Sequence, residues 1–388
     1  MKAKYCVLIV ALTAVITPTI LFTQTISEAP AGFDNKTNGF TTQTTFDADR
    51  ATFEEFETIA DGLGPVYNAQ SCRECHQNPV TGAGSQVTEL RAAPSSTTNF
   101  ADGSLINDRA IDASIQEHVP NNATVAALRS SLNTLGDGFV EAISNQTLQQ
   151  IAANSGGQLI AVNILEAPGQ QRFGRFGWKT QHASLLSFAA DAYLNEMGIT
   201  NRFFPTENTS NGRSVAAFDT VPDPEDVNDI DAFARFMRSS KVPPRGPITT
   251  AVNAGANVFN AIGCNSCHVT SITTAPPGTV IAGFGANGGL GPLPASLGNK
   301  VIHPYSDFAL HDIGTGDGIT QGAAPPNKMR TAPLWGLRTR DRFMHNLLTV
   351  TLRDAIARHD NEAAINRALF NSLSATDQNN LIAFLNSL

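Results

Sequence analysis

Two short stretches of this chain combine cysteine and histidine in the same spacing. Residues 72–76 read Cys-Arg-Glu-Cys-His, and residues 264–268 read Cys-Asn-Ser-Cys-His. The spacing Cys-x-x-Cys-His is typical of covalent c-type haem attachment, in which each thiol forms a thioether with one vinyl group of the haem. The histidine that follows supplies an axial nitrogen to the iron. The sequence therefore predicts two haem c groups, attached at Cys72, Cys75, Cys264 and Cys267, with His76 and His268 as iron ligands.

Paired cysteines also serve other chemistry. Two Cys-x-x-Cys pairs could together bind one zinc ion, or they could form disulfides or a thioredoxin-like redox pair. None of these sites requires a histidine directly after both pairs, so the two histidines favour haem. The chain has five cysteines, and the fifth, Cys6, lies in the N-terminal segment, away from both motifs.

The first 29 residues have the pattern of an export signal. Lys2 and Lys4 precede an apolar run over residues 5–22 that threonines and a proline interrupt. Because this run is short for a membrane span, we expect residues 1–29 to be a signal peptide that is cleaved after Ala29. An uncleaved membrane anchor is the alternative. Haem c is attached outside the bacterial cytoplasm, so the signal and the motifs both predict a periplasmic or otherwise exported protein.

The chain is long enough for two or three domains, with 388 residues of which 41% are hydrophobic. Its formal net charge is −8 at pH 7. Proteins that bind nucleic acids usually carry basic patches, so this acidic balance disfavours a nucleic-acid partner.

Each cysteine–histidine motif follows a predicted helix. Apolar residues recur at helical spacing over residues 46–60, and a second helix is predicted over residues 249–262, directly before Cys264. A helix in this position is typical of a cytochrome c-like domain. Residues 241–247 contain three prolines and cannot continue a helix. The sequence therefore predicts two cytochrome c-like haem domains, over residues 30–242 and 243–388.

The remaining sequence predicts helices joined by long loops. Further helices are predicted over residues 124–154, 183–197 and 226–240. Ser374 to Asp377 has the form of a capping box in front of a last helix. A short strand is predicted over residues 158–165, whereas residues 77–122 and 270–300 have loop-like compositions. The predicted fold class is all-α, with two haem domains that carry long loops.

Four groups of residues carry a resemblance to a known family. They are residues 61–68 (Asp-Gly-Leu-Gly-Pro-Val-Tyr-Asn), residues 174–179 with 184–186 and 196–200, residues 304–307 with 310–312, and residues 330–337 (Arg-Thr-Ala-Pro-Leu-Trp-Gly-Leu). Together they resemble the dihaem oxidoreductase family, also called thiol-oxidoreductase-like, which is related to bacterial dihaem cytochrome c peroxidases and to MauG. The resemblance covers nearly all of residues 50–388. It implies two cytochrome c-like domains that face each other, with one haem relaying electrons and the other meeting a peroxide.

The resemblance also implies roles for individual residues. Glu196 matches the acidic residue that moves protons during peroxide cleavage, with a solvated helix carboxylate as the alternative. Trp178 matches the tryptophan between the two haems, with ordinary aromatic packing as the alternative. Met344 matches the methionine that supplies the sixth ligand of the second haem, with a gap-filling core methionine as the alternative.

The motifs near the second haem depart from those of the relatives. Relatives commonly have His-Asp-Gly-Arg where this chain has the stretch around His345 and Asn346, and His-Asp-Met-Gly where it has residues 311–314. Met329 and His311 are therefore the next candidates for the sixth ligand after Met344. For the first haem, the sixth position is either open or held by His118. Among the other histidines, His345 is, like His311, a candidate for a ligand or for a residue that supports one, whereas His182, His303 and His359 carry no assigned role.

The sequence thus predicts an exported dihaem c-type oxidoreductase of peroxidase type. A dihaem electron-transfer cytochrome without catalysis of its own is the first alternative, and a MauG-like enzyme that oxidises a protein side chain is the second. The expected partners are a peroxide and a small electron-donor protein of cytochrome c or cupredoxin type. The resemblance leaves open a calcium ion between the domains, as in related peroxidases.

Overall fold

The computed structural model describes Met1 and residues 25–101 and 103–388. Most of the predicted signal peptide, residues 2–24, lies outside the described residues. The α-helices are α1 Gln43–Glu54, α2 Cys72–Cys75, α3 Asp137–Glu141, α4 Asn145–Ser155, α5 Leu185–Met197, α6 Asp229–Ser239, α7 Thr250–Ala261, α8 Leu352–Ala357, α9 Ala364–Ser372 and α10 Ala375–Leu385. Among these described helices, none is both long and apolar enough to cross a bilayer.

The strands are short and form several small sheets. They are β1 Ser27–Glu28, β2 Val66–Tyr67, β3 Thr88–Ala93, β4 Leu105–Ile106, β5 Arg109–Ala110, β6 Val125–Ser130, β7 Ala161–Asn163, β8 Gln171–Phe173, β9 Ile272–Thr273, β10 Val280–Ala282, β11 Leu290–Pro292, β12 Lys300–Ile302, β13 Leu310–His311 and β14 Met329–Arg330. The two three-stranded sheets have the orders β4-β3-β6 and β1-β12-β9. The fold is therefore mostly helical with small sheets.

The structure confirms the helices on which the two motifs depend. Helix α1 precedes the first motif, and α7 runs almost directly into the second. A threonine caps each helix, Thr42 before α1 and Thr249 before α7, and its side chain accepts a hydrogen bond from a backbone N–H of the first turn. The predicted helices at 183–197 and 226–240 correspond to α5 and α6. The last helix, α10, begins at Ser374, which accepts a 3.1 Å hydrogen bond from the N–H of Asp377.

Two predictions in the first half of the chain are wrong in part. The N-terminal portion of the predicted helix 124–154 is strand β6, and the predicted loop 77–122 contains strand β3. These strands pair antiparallel over all six residues, from Thr88 with Ser130 to Ala93 with Val125. The alanines of β6 suit a helix as well as a strand, so the pairing partner, distant in sequence, decides its conformation. The all-α prediction therefore missed the small sheets.

A pair of crossing helices packs beside each motif. Helix α1 packs on α6, where the ring of Phe53 lies 4.8 Å from the ring of Phe236, and Arg235 pairs with Asp49 at 2.5 Å. Helix α7 packs on α10, with Phe259 5.2 Å from Phe384. A Cβ atom on Gly255 would lie 1.9 Å from the carbonyl oxygen of Asn380, so this crossing requires glycine. Each helix that leads into a motif is therefore held by a second helix.

The hydrophobic interior consists of two main clusters. The first contains α1, α5 and α6 together with residues from the 272–308 region, including Ile272, Leu297 and Phe308. The second contains α7, α8, α9 and α10. The proline-rich segment touches both ends of the described chain, because Val242 N–H bonds to the Pro30 carbonyl and Gly246 N–H bonds to the Ser387 carbonyl. The domain boundary at 242/243 stays a prediction.

Candidate functional site

One large cavity of about 750 Å³ lies between the two motifs. Cys72, Cys75 and His76 line it from one side of the fold, and Cys264, Cys267 and His268 line it from the other. Aliphatic and aromatic side chains from both hydrophobic clusters form much of the wall. The tertiary structure thus brings the two motifs, which are distant in sequence, to one shared space.

The first motif is fixed to helix α1. Ser71 caps the short helix α2 by accepting a bond from the N–H of Arg73 at 3.2 Å, and its hydroxyl donates to the carbonyl of Phe53 at 3.4 Å. The ring of Phe53 packs 6.2 Å from that of His76. Burial lowers the pKa of His76 to about 4. The imidazole is therefore neutral at pH 7, the state that binds a metal ion.

The second motif repeats this arrangement. The ring of Phe259, on α7, packs 6.3 Å from His268, and Nδ1 of His268 lies 3.0 Å from the carbonyl oxygen of Tyr305. A carbonyl oxygen only accepts, so Nδ1 carries the hydrogen and Nε2 keeps the lone pair for a metal ion. Burial is the largest cause and the nearby His359 the second largest, and they lower the pKa of His268 to about 4.

The alternatives to haem fit these residues less well. Cys72, Cys75, Cys264 and Cys267 are free thiols, so neither pair is a disulfide. Over residues 25–101 and 103–388, the four thiols do not converge on one point that a zinc ion could occupy, and one potential metal cluster contains a cysteine, Cys267 with Asp307 and His311. Free thiols one turn apart, neutral histidines and an apolar cavity fit covalently bound haem.

Glu196 lies on the cavity wall near the first motif, at the end of α5. It accepts a 2.9 Å bond from Nδ2 of Asn68 and shares a hydrogen bond with Glu89 of β3. Burial, and then Glu89, raise the pKa of Glu196 well above its usual range. Burial is the largest influence on Glu89 and would raise its pKa, but Arg91, 2.5 Å away, together with the hydrogen bond to Glu196 and the nearby Arg129, lowers that pKa on balance. Within the pair, Glu196 therefore holds a proton in preference to Glu89.

Sequence reasoning missed Glu89 and Arg91. The signal that could have found them is their i, i+2 spacing, which puts both side chains on one face of a strand. The composition of residues 77–122 predicts a loop, and a loop has no common face on which Glu89 and Arg91 would lie together. Once β3 pairs with β6, that face meets Asn68 and Glu196 at the cavity.

Trp178 also lines the cavity, and its contacts fix its orientation. Its indole Nε1 donates a 2.8 Å bond to the carbonyl of Ser130, and its ring packs edge-on against His345 at 5.9 Å.

Asp317 forms ion pairs with Arg129 and Lys179, at 2.5 and 3.0 Å. The sequence predicts no role for Asp317, Arg129 or Lys179.

The candidates for a sixth ligand have different surroundings. Met344 lines the cavity, packs on the second hydrophobic cluster and has a φ angle of +68°, which is unusual for a side-chain-bearing residue. His359 also lines the cavity, and its ring lies 6.4 Å from that of His268. Met329 is a buried residue of β14 that lines the cavity as well. His118 is exposed and does not belong to the cavity wall.

His311 is held between two acids. Its Nε2 lies 2.7 Å from Asp307 and its Nδ1 lies 2.7 Å from Glu362. Burial is the largest single influence and would lower the pKa of His311, but its contacts with Asp307 and Cys267 together raise the pKa to about 11. Both ring nitrogens are thus engaged as donors, which does not suit a metal ligand.

A mostly helical chain whose two Cys-x-x-Cys-His motifs share one cavity has the features of a dihaem protein. The chain belongs to the family described as "Di-haem oxidoreductase, putative peroxidase", whose model matches residues 159–388. The match includes the second motif and Trp178, Glu196 and Met344, whereas the first motif lies before it. Among curated proteins, none matches this chain.

Several solved structures are similar to this chain at low identity. Hydrazine synthase from Kuenenia stuttgartiensis has 12% identity and a TM-score of 0.43, covering 100% of this chain and 99% of that one. A MauG-like protein associated with microbial copper homeostasis has 14% identity and a TM-score of 0.41, covering 97% and 95%. The dihaem peroxidase BthA from Burkholderia thailandensis has 14% identity and a TM-score of 0.42, covering 94% of each chain. At these TM-scores the three structures add nothing to the family assignment.

Proposed function

We propose that this chain is an exported dihaem c-type oxidoreductase that reduces a peroxide. Cys72 and Cys75 would attach one haem, and Cys264 and Cys267 the other, with His76 and His268 as the proximal ligands. The free thiols, the neutral imidazoles and the family membership support this proposal. When bound, haem supplies the iron and the electrons for peroxide reduction.

The observation that carries the proposal is the carboxyl pair of Glu196 and Glu89. Splitting a peroxide requires a group that takes a proton from one oxygen and returns it to the leaving oxygen. An electron carrier has no use for such a group. Glu196 holds the proton of the pair and would deliver it to the leaving oxygen, whereas Glu89, paired with Arg91 on the same cavity wall, would take up the proton that the peroxide releases. The first motif, on the same side of the cavity, would therefore be the reactive one.

The second motif would then store and relay electrons. Trp178 and His345 are in ring contact on the cavity wall that both motifs share. An aromatic pair in this position would carry electrons from the second motif to the first. The electrons would come from a small donor protein of cytochrome c or cupredoxin type. A periplasmic location completes the proposal.

The test compares peroxide turnover in the wild type and in Glu196→Gln. Glutamine keeps the shape of the side chain but cannot exchange the proton, so turnover should fall by roughly 10²–10⁴-fold, the usual contribution of general acid–base catalysis. Half-reduced protein is mixed with hydrogen peroxide in a stopped-flow spectrometer. Glu55→Gln is the matched control, because Glu55 is exposed and lies outside the cavity wall.

The same experiment separates the alternatives. If the wild-type spectrum does not change with peroxide, the chain is an electron-transfer cytochrome. If it changes but turnover requires a partner protein whose side chain gains mass by oxidation, the enzyme is MauG-like. If Glu196→Gln reacts as fast as the wild type, Glu196 is a structural carboxyl group.

A further inference from the structure

Two histidines lie close together on the wall of the cavity near the second motif. The ring centres of His268 and His359 lie 6.4 Å apart, with their planes at 54°. An imidazole nitrogen binds a transition-metal ion at about 2 Å, and the ring centre lies about 1 Å behind that nitrogen. Two imidazoles that share one ion from opposite sides therefore have ring centres about 6 Å apart. The observed separation matches this arrangement.

The hydrogen bonds of both rings leave the same nitrogen available. Nδ1 of His359 lies 2.9 Å from the carbonyl oxygen of Ala355, as Nδ1 of His268 lies 3.0 Å from that of Tyr305. Each carbonyl fixes the hydrogen on Nδ1, so the lone pair lies on Nε2 in both rings. Backbone bonds of this kind orient histidine ligands in metal sites.

The backbone near His359 is well fixed. Helix α8 begins at Thr351, whose side chain accepts a 3.1 Å bond from the N–H of Asp354, and Leu352 and Ala355 are buried in the second hydrophobic cluster. The N–H of His359 bonds to the carbonyl of Ile356 at 3.1 Å. The helix thus holds the imidazole against the cavity. Met344 lies in a loop, where its carbonyl accepts a 3.4 Å bond from the N–H of Leu347, and its unbranched thioether side chain has three rotatable bonds.

We propose that His359, rather than Met344, would join His268 in binding the iron of the haem attached at Cys264 and Cys267. This assignment rests on the haem attachment proposed above and refines the role of the second motif. Two imidazoles replace the imidazole and thioether that the sequence predicts. Because a methionine ligand raises the potential of a haem, the second haem would be a stronger reductant than a histidine–methionine haem. It would also be closed to peroxide, which restricts the reaction to the first motif.

The test is spectroscopic and uses the full-length protein with both haems. A thioether bound to ferric iron gives a weak near-infrared charge-transfer band, whereas bis-histidine iron does not give that band. We expect wild-type protein to lack it and Met344→Ala to leave the near-infrared and electron paramagnetic resonance spectra unchanged. His359→Met should introduce the thioether band and raise the potential of one haem. His359→Ala should convert one low-spin haem to high spin.

The controls keep the outcomes distinct. His303→Ala removes an exposed histidine that does not line the cavity and should change no spectrum. A thioether band in the wild type that disappears in Met344→Ala overturns the proposal, as does an unchanged spectrum in His359→Met. If His359→Ala fails to fold, the wild type and the other two variants still decide. A chain with fewer than two covalent haems refutes the proposed function itself, and a pyridine haemochrome count on each sample detects that failure.

Discussion

At the scale of single residues, burial sets the protonation states around the first motif. Glu57 is only 5% exposed, and it accepts a 3.0 Å hydrogen bond from the hydroxyl of Tyr193. Burial raises the pKa of Glu57 to about 7 from the ordinary value of 4.5. Glu196 shifts in the same direction for the same first reason. Glu57 and Glu196 therefore keep their protons to a higher pH than an exposed acid would, unlike Glu89 beside Arg91.

Glu57 should make the stability of the protein depend on pH. Between pH 4.5 and about 7 the unfolded chain loses the proton of Glu57 while the folded chain keeps it. The folded state binds more protons in this window, so stability falls as the pH rises through it. Glu57→Gln should flatten the decline and raise the melting temperature at pH 7.5, relative to wild type, by about 1–2 °C, equivalent to about 1 kcal/mol.

Calorimetry of both proteins at pH 5 and pH 7.5 checks this prediction. Asp341→Asn, at an exposed acid in the second half of the chain, should keep the wild-type decline. Equal declines in wild type and Glu57→Gln would show that another group is responsible.

At the scale of elements, the structure positions each motif through the helix before it. Helix α7 ends at Ala261, three residues before Cys264, so any movement of α7 shifts the second motif. Its position is set by the crossing with α10 at Gly255. The first motif is connected less directly to its helix, because residues 55–71 lie between α1 and Cys72. The hydrogen bond from the Ser71 hydroxyl to the Phe53 carbonyl ties this motif to α1.

Gly255→Ala should therefore weaken the second half of the fold. The added Cβ would meet the carbonyl of Asn380, so α7 and α10 must separate, at a cost of about 1–3 kcal/mol. Denaturant unfolding measures the loss. Asn253→Ala, on the exposed face of the same helix, should cost little. Equal stability of Gly255→Ala and wild type would mean that the helices do not cross this closely.

At the scale of the whole molecule, one cavity lies between two motifs that are far apart in sequence. The ion pairs of Asp317 with Arg129 and Lys179 connect segments from both halves of the chain. Residues from the 272–308 region pack on the first hydrophobic cluster, although they follow the second motif. The halves therefore interlock, and a ligand between the motifs would contact both.

The whole chain should carry two covalently bound haems. A pyridine haemochrome assay on denatured protein should give two c-type haems per chain, and Cys75→Ala or Cys267→Ala should each interfere with attachment at its own motif. Haem that extracts into acidified acetone, or zinc in place of iron, would contradict the covalent assignment. The variants distinguish the two sites, because each changes one motif and leaves the other intact.

The sequence by itself determined the features that depend on neighbouring residues. The motifs at 72–76 and 264–268, helices α1 and α7 before them, and the cap at Ser374 are all local, since spacing within one or two turns of chain fixes their geometry. The family resemblance, confirmed over residues 159–388, came from equally short motifs.

The tertiary structure alone decided which distant residues meet. Strand β6 has a sequence that also suits a helix, and only pairing with β3 made it a strand and brought Glu89 to Glu196. His359 was one unassigned histidine among several until the packing of α8 placed its ring beside His268. Such contacts depend on how whole elements pack, and the spacing of residues along the chain does not by itself determine that packing.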